Sequence, residues 1–145
     1  MPRATIVSAV HLFLLKDDQI LLLRRFNTGY GDGQYSVIAG HLDGGEDVYS
    51  AMVREAKEEA GIDIQCGNHE IAHCMHRQTE NDERVDWFFV CREWYGEITN
   101  MEPNKCDELR WVDINTLPDN MVDYVREAIC NYKDEVKFSI YGWQK

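Results

Sequence analysis

The chain has 145 residues, 44% of them hydrophobic and 28% charged, which suits one soluble globular domain spanning residues 1–145. Its 15 basic and 26 acidic residues leave a formal charge of −11, so its surface repels duplex nucleic acid and anionic membranes alike. Five cysteines without a C-x-x-C pair argue against a disulfide framework or a structural zinc site, and residues 1–10 carry no signal-like apolar run, so a cytoplasmic setting is expected.

In chain order, Thr5 to Leu15 reads as a strand, Lys16 to Gln19 as a polar turn and Ile20 to Leu23 as the returning strand of a hairpin. Asn27 to Gly33 is a glycine-rich loop, Tyr35 to Ile38 a short strand and Gly40 to Glu46 a second glycine-rich loop. Asp47 to Ala60 has helix-forming composition, and Gly61 is its stop signal. Ile71 to Met75 and Val85 to Cys91 read as strands around the acidic loop Thr79 to Glu83, followed by a strand at Leu109 to Val112 and a helix at Met121 to Tyr132. The order β-β-β-α-β-β-β-α predicts an α/β (α+β) domain with helices packed on a mixed sheet. The cysteines are expected to be core or half-buried residues.

The first helix breaks its own pattern. At about 100° per residue, Val48, Ala51, Met52, Ala56 and Ala60 share one broad arc with Tyr49 and Val53, while Ser50, Arg54 and Lys57 face the other way. Glu55 and Glu59 fall inside the apolar arc, and Glu58 lies at its edge. Three carboxylates on one side of a helix repel one another, and partial burial drives protons onto them. A divalent cation relieves both problems; Mg²⁺ takes oxygen ligands, usually one or two carboxylates together with substrate phosphates. Arg54 stands four residues before Glu58 and can brace it. A di-iron site needs Glu-x-x-His pairs, which neither predicted helix contains. His73-Cys74-Met75-His76 is a poor metal cluster, because in a strand His73 and His76 point to opposite faces.

Gly40, Glu46 and the run Arg54-Glu55-Ala56-Lys57-Glu58-Glu59-Ala60-Gly61-Ile62 match every fixed position of the Nudix box. The chain therefore resembles the Nudix hydrolase family, and the run Trp87 to Val90 followed by Glu93 to Glu97, together with the stretch Met101 to Glu108, is similar to its MutT-like branch. The resemblance implies a Nudix fold, a mixed β-sheet sandwiched between helices. It implies that Glu55, Glu58 and Glu59 ligate Mg²⁺ or Mn²⁺, with a carbonyl from Gly40, while Arg54 orients a glutamate. Glu46 would steady the loop–helix junction. Glu102 matches a further acidic ligand or base on a distant loop, Arg25 lies where relatives contact phosphate, and His41 stands where some relatives carry a lysine. Ala39 departs from the Gly or Pro-Gly common in the family.

What the resemblance implies in function is cleavage of a nucleoside diphosphate linked to a group X. A nucleoside triphosphate is the leading substrate, with monophosphate and pyrophosphate as products and Glu58, Glu59 or Glu102 as the base. Asn27, Tyr30, Tyr35, Trp87 and Asn120 are candidates for gripping the nucleobase by stacking or amide hydrogen bonds; Tyr35 and Trp87 equally suit sheet packing, and Asn120 a helix cap. Rival functions are hydrolysis of nucleotide sugars or ADP-ribose and a non-catalytic nucleotide-binding domain. Expected partners are a nucleotide small molecule and neither duplex nucleic acid nor membrane, in a monomer or homodimer.

Overall fold

The structure is a computed structural model that describes residues 2–65 and 69–143. Its elements are β1 (Val7–Lys16), β2 (Gln19–Arg25), β3 (Tyr35–Ser36), β4 (Ile38–His41), α1 (Val48–Ala60), β5 (His69–Gln78), β6 (Glu83–Cys91), β7 (Cys106–Asp113), α2 (Asp123–Lys133) and β8 (Phe138–Tyr141). The sheet is mixed. β1 runs parallel to β6 and β5 parallel to β8, while β1–β2, β1–β4, β2–β3, β2–β7 and β5–β6 are antiparallel.

The alternation of β1 divides the interior into two cores. Phe13 faces one side with Met75, Phe88, Val125 and Ile129 beneath α2. Leu12 and Leu14 face the other with Met52, Ala56 and Phe89 beneath α1. Each large side chain buried this way contributes roughly 1.5–3 kcal/mol. The sheet is thus sandwiched between helices, as expected. Among the described residues no helix is long and apolar enough to cross a membrane.

Three expectations need correction. The strand expected over Tyr35 to Ile38 is split at Val37: Tyr35 and Ser36 pair with β2, whereas Ile38 to His41 pair with β1. The backbone changes partner strands within this short segment, and no local pattern reveals that. The second helix starts at Asp123 instead of Met121, because Met121 bridges to Tyr35 and the Val122 amide donates to the Tyr35 carbonyl at 2.9 Å. Strand β8 was not anticipated; it closes the sheet through β5, pairing Cys74 with Phe138. Of the cysteines, Cys91 and Cys106 are buried and Cys74 is half-buried, but Cys130 is exposed on α2; Cys66 lies outside the described residues.

Candidate active site

Helix α1 is fixed at both ends by its own sequence. Asp47 caps the N-terminus, accepting from the Ser50 amide at 2.9 Å, and these hydrogen bonds hold its carboxyl below the usual range. Gly61 ends the helix in the left-handed region, φ 69°, with its amide donating to the Lys57 carbonyl. The helix lies across β4 and β1 with Ala51, Met52, Ala56 and Ala60 buried. That rotation carries Glu55 inward, 8% exposed, and leaves Glu58 at the surface. Tyr49 is 38% exposed despite its place on the apolar arc, touching Phe89 only by an edge.

Arg54 is the hub of the carboxylate cluster. Its guanidinium donates to Glu46 Oε1 at 2.7 Å, Glu55 Oε1 at 2.7 Å and Glu58 Oε2 at 3.3 Å, and to the His41 carbonyl at 3.2 Å. The brace to Glu58 expected from helical spacing is therefore the longest of its carboxylate hydrogen bonds, and Glu46 and Glu55 are held more closely. Arg54 holds the Glu46 carboxyl below the usual range, and the carboxylates in turn push the guanidinium pKa up. Glu59 is partly buried and accepts from the Ala39 amide at 3.3 Å. Burial, the neighbouring Glu55 and the charge of Glu102 push its carboxyl well above the usual range.

Gly40 sits where β4 passes against Glu55. A methyl group built on its Cα would run into the Glu55 carboxyl as it lies here, so glycine is what lets that carboxylate lie against the strand. Glu102 arrives from the far side on a loop stapled to the end of α1, where the Thr99 amide donates to the Ala60 carbonyl and the Met101 amide to the Glu59 carbonyl. Asn100 Oδ1 accepts from the Glu102 amide at 3.1 Å. Glu55, Glu58, Glu59 and Glu102 then line one cleft of about 470 Å³, with Arg25, Asn27 and Lys105 on its other walls.

The donor set suits a hard divalent cation. It consists of carboxylate oxygens, two of them on partly or fully buried glutamates whose mutual repulsion one arginine does not cancel. Among the described residues no three His, Cys, Asp or Glu side chains are already gathered about one cation-sized point, because Glu55 and Glu58 lean on Arg54 and Glu59 reaches toward Ala39. Ligation would draw them off these contacts.

A second, larger cleft of about 620 Å³ adjoins the first and shares Arg25 and Ala39 with it. Its floor holds a buried polar network that sequence reading missed. Arg77 donates to Asp86 at 2.6 Å and stacks 3.6 Å over the centroid of the Tyr124 ring. His11 Nε2 lies 2.9 Å from the Tyr124 hydroxyl, its ring stacks on Phe88, and its Nδ1 has no partner. Burial lowers the His11 pKa to about 4, so the imidazole is neutral, and burial raises that of the Tyr124 phenol. The cross-strand neighbours Arg77 and Asp86 come from β5 and β6, and Tyr124 from α2, so no local spacing could bring them to notice.

The remaining candidates are placed as follows. Arg25 lies between the two clefts, donating to the Tyr30 carbonyl at 2.6 Å and to Thr28 Oγ1 at 3.1 Å. Asn27 lines the carboxylate cleft, with φ 55°, and Tyr30 and His41 line the larger one. Three others are not brought to either cleft. Tyr35 is 4% exposed and spends its hydroxyl on Glu108 at 2.8 Å. Trp87 packs on the core beneath α1, with its indole N–H donating to Ser8. Asn120 neither caps α2 nor faces a cleft; its amide donates to the Gly33 carbonyl at 2.9 Å and its carbonyl accepts from the Tyr35 amide, tying the glycine-rich loop to β3.

Comparison with known proteins adds three findings. The NUDIX domain family profile matches residues 5–132. Among curated relatives, the NAD-capped RNA hydrolase NudC of Stutzerimonas stutzeri is 28% identical over 107 residues, covering 74% of this chain, and that of Vibrio atlanticus is 27% identical over 123 residues, covering 83%. The matched stretch spans only 36% and 43% of those relatives' own lengths. Among solved structures, the MutT NUDIX hydrolase of Burkholderia pseudomallei superposes with TM-score 0.79 at 23% identity, covering 86% of this chain and 96% of that one. The MutT protein of Methanosarcina mazei superposes with TM-score 0.79 at 19% identity, covering 93% and 98%.

Proposed function

Because the chain belongs to the NUDIX domain family, we propose that it is a divalent-metal-dependent pyrophosphohydrolase cleaving a phosphoanhydride bond in a nucleoside diphosphate linked to X, with a nucleoside triphosphate as the leading substrate. The observation that carries this reading is the convergence of Glu55, Glu58, Glu59 and Glu102 on one cleft, with Gly40 held against Glu55.

Glu55, Glu58 and Glu59 would hold Mg²⁺ or Mn²⁺ with the Gly40 carbonyl. The bound ion supplies charge neutralisation and Lewis acidity at the phosphates. Everything else falls to the chain. Arg54 holds Glu55 and Glu58 by hydrogen bonds, while Glu46 fixes Arg54 from the loop side. Arg25, at the junction of the clefts, binds a phosphate oxygen. A glutamate free of ligation accepts the proton of the attacking water, and Glu102, on the opposite wall and outside the ligand set Glu55, Glu58 and Glu59, is the group placed to do so.

A second reading is favoured by the larger cleft beside the carboxylates: X is a second nucleoside or sugar, as in NAD or ADP-ribose, which needs room beyond a triphosphate. The test is a panel of nucleoside triphosphates, modified deoxynucleotides, nucleotide sugars, NAD and dinucleoside polyphosphates with Mg²⁺, with all products resolved by chromatography: a monophosphate and pyrophosphate from a triphosphate, two organic monophosphates from NAD or a sugar nucleotide. Pyrophosphate from triphosphates supports the first reading and turnover of NAD or sugar nucleotides alone the second. No turnover of any of them overturns both.

A further inference from the structure

Arg84, at the start of β6, has no part in the box and no counterpart among the residues assigned above. Its Nε and Nη2 donate to Asp82 at 3.1 and 3.2 Å, and Asp82 is itself fixed by Thr79 Oγ1 at 2.7 Å. This grip fixes the plane of the guanidinium. The remaining nitrogen, Nη1, turns the other way and lies 3.2 Å from His41 Nε2, on the wall of the larger cleft. His41 follows Gly40, and its carbonyl is tied to Arg54, so this wall is anchored directly to the carboxylate cluster.

An imidazole nitrogen is a weak partner for a guanidinium compared with a phosphate oxygen, and a planar fork braced on one edge is pre-organised to take an oxyanion on the other. The nearby cations differ in availability. Arg77 is buried against Asp86 and already neutralised. Arg84 shares its charge only with the partly exposed Asp82, and its Asp82-free edge meets an imidazole nitrogen and no carboxylate. In a chain of formal charge −11, a positioned guanidinium on the wall of the larger cleft, beside the residue that follows Gly40, marks a place for an anion.

We propose that Arg84 anchors a phosphate group of the substrate in the larger cleft, beside His41, with Asp82 and His41 as its positioning residues. The inference rests on the pyrophosphohydrolase reading and deepens it. The phosphate has two possible sources, the terminal phosphate of a nucleoside triphosphate or the phosphate attached to a second nucleoside, and the assay separates them.

Steady-state kinetics are measured with Mg²⁺ on a nucleoside triphosphate and on NAD, for the unmodified chain, R84Q, R84K and R92Q. Arg92 is exposed, contacts Tyr132 and lines neither cleft, so R92Q controls for loss of one positive charge. R84Q raises KM about tenfold or more on one substrate class, the loss of one charge-assisted hydrogen bond, with kcat within about threefold. R84K recovers part of the loss, R92Q changes KM less than twofold, and the class that suffers names the source. An R84Q KM equal to the unmodified value on both classes, or an R92Q effect as large as that of R84Q, overturns the proposal. A calorimetric titration of inorganic pyrophosphate with Mg²⁺ decides independently of turnover: binding about tenfold weaker in R84Q than in the unmodified chain supports the anchor. Equal binding, or none to either chain, overturns it. Loss of turnover on both substrates in the unmodified chain with that calorimetric difference retained would overturn the reaction and leave the anchor standing.

Discussion

Two charged clusters in this molecule are built on opposite plans. On the floor of the larger cleft Arg77 faces Asp86 and the Tyr124 ring, one charge against one, with both ionic side chains almost wholly buried. Beneath β4 a single guanidinium, Arg54, faces Glu46, Glu55 and Glu58, while Glu59 and Glu102 stand close by without an arginine of their own. The first cluster is complete as folded. The second carries surplus negative charge in a partly buried place, and such a cluster is stable only by holding protons or by taking up a cation. Balance marks a structural element, and the imbalance is what the proposed cation would relieve.

The sharpest way to break this comparison is to unbalance the complete cluster. D86N leaves Arg77 buried without its counter-charge and is expected to cost about 3–5 kcal/mol of stability, read as a lower urea midpoint that Mg²⁺ does not restore. Acid tests the same region. His11 is held near pKa 4 against 6.5 in the unfolded chain by burial, opposed by Asp86 and assisted by Arg77 and His41. The unfolded chain therefore binds the extra proton first. Stability is fully present above about pH 6.5 and falls as the pH drops toward 4, by roughly 3 kcal/mol over that window. Urea unfolding at pH 7 and pH 4.5 measures the slope, and H11Q should flatten it.

In the unbalanced cluster E59Q should lower turnover at least ~100-fold while leaving the metal-free thermal midpoint unchanged or higher, since a carboxyl whose ionisation is disfavoured has been removed. Mg²⁺ is expected to raise the thermal midpoint of the unmodified chain, and the same variant should lose most of that gain, because a ligand that binds only the folded state stabilises it more the tighter it binds. Turnover unchanged at saturating Mg²⁺ would remove Glu59 from the site. The smallest effect belongs to the frame that carries the cluster: D47A, which deletes the cap of α1, should cost about 0.5–2 kcal/mol in denaturant, with turnover of the folded fraction kept.

The unbalanced cluster was legible in the sequence because it is nearly local. Glu55, Glu58 and Glu59 share one helix, Asp47 and Gly61 announce its ends, and carboxylates on an apolar arc conflict with the packing of that arc. The balanced cluster was not legible, since Arg77, Asp86, His11 and Tyr124 sit on three strands and a helix and meet only through the β5–β6 register and the docking of α2. Tyr35 shows the same limit from the other side. An aromatic residue beside a glycine-rich loop reads equally as a stacking platform or as core, and only the hydroxyl bond to Glu108 across the sheet decides where it points. Strand β8 was missed because its four residues gain their order from a partner more than sixty positions away, Cys74 to Phe138.

The contact between Gly40 and Glu55 reserves a place for one carboxylate. A methyl group at 40 would push into the far end of the Glu55 side chain, so the missing Cβ is what gives that carboxylate its place against β4. A mutant library aimed at changing cation preference should therefore hold 40 and 55 constant and vary 58 and 102, one at the rim and one on a separate loop, where the scaffold leaves room for other donors.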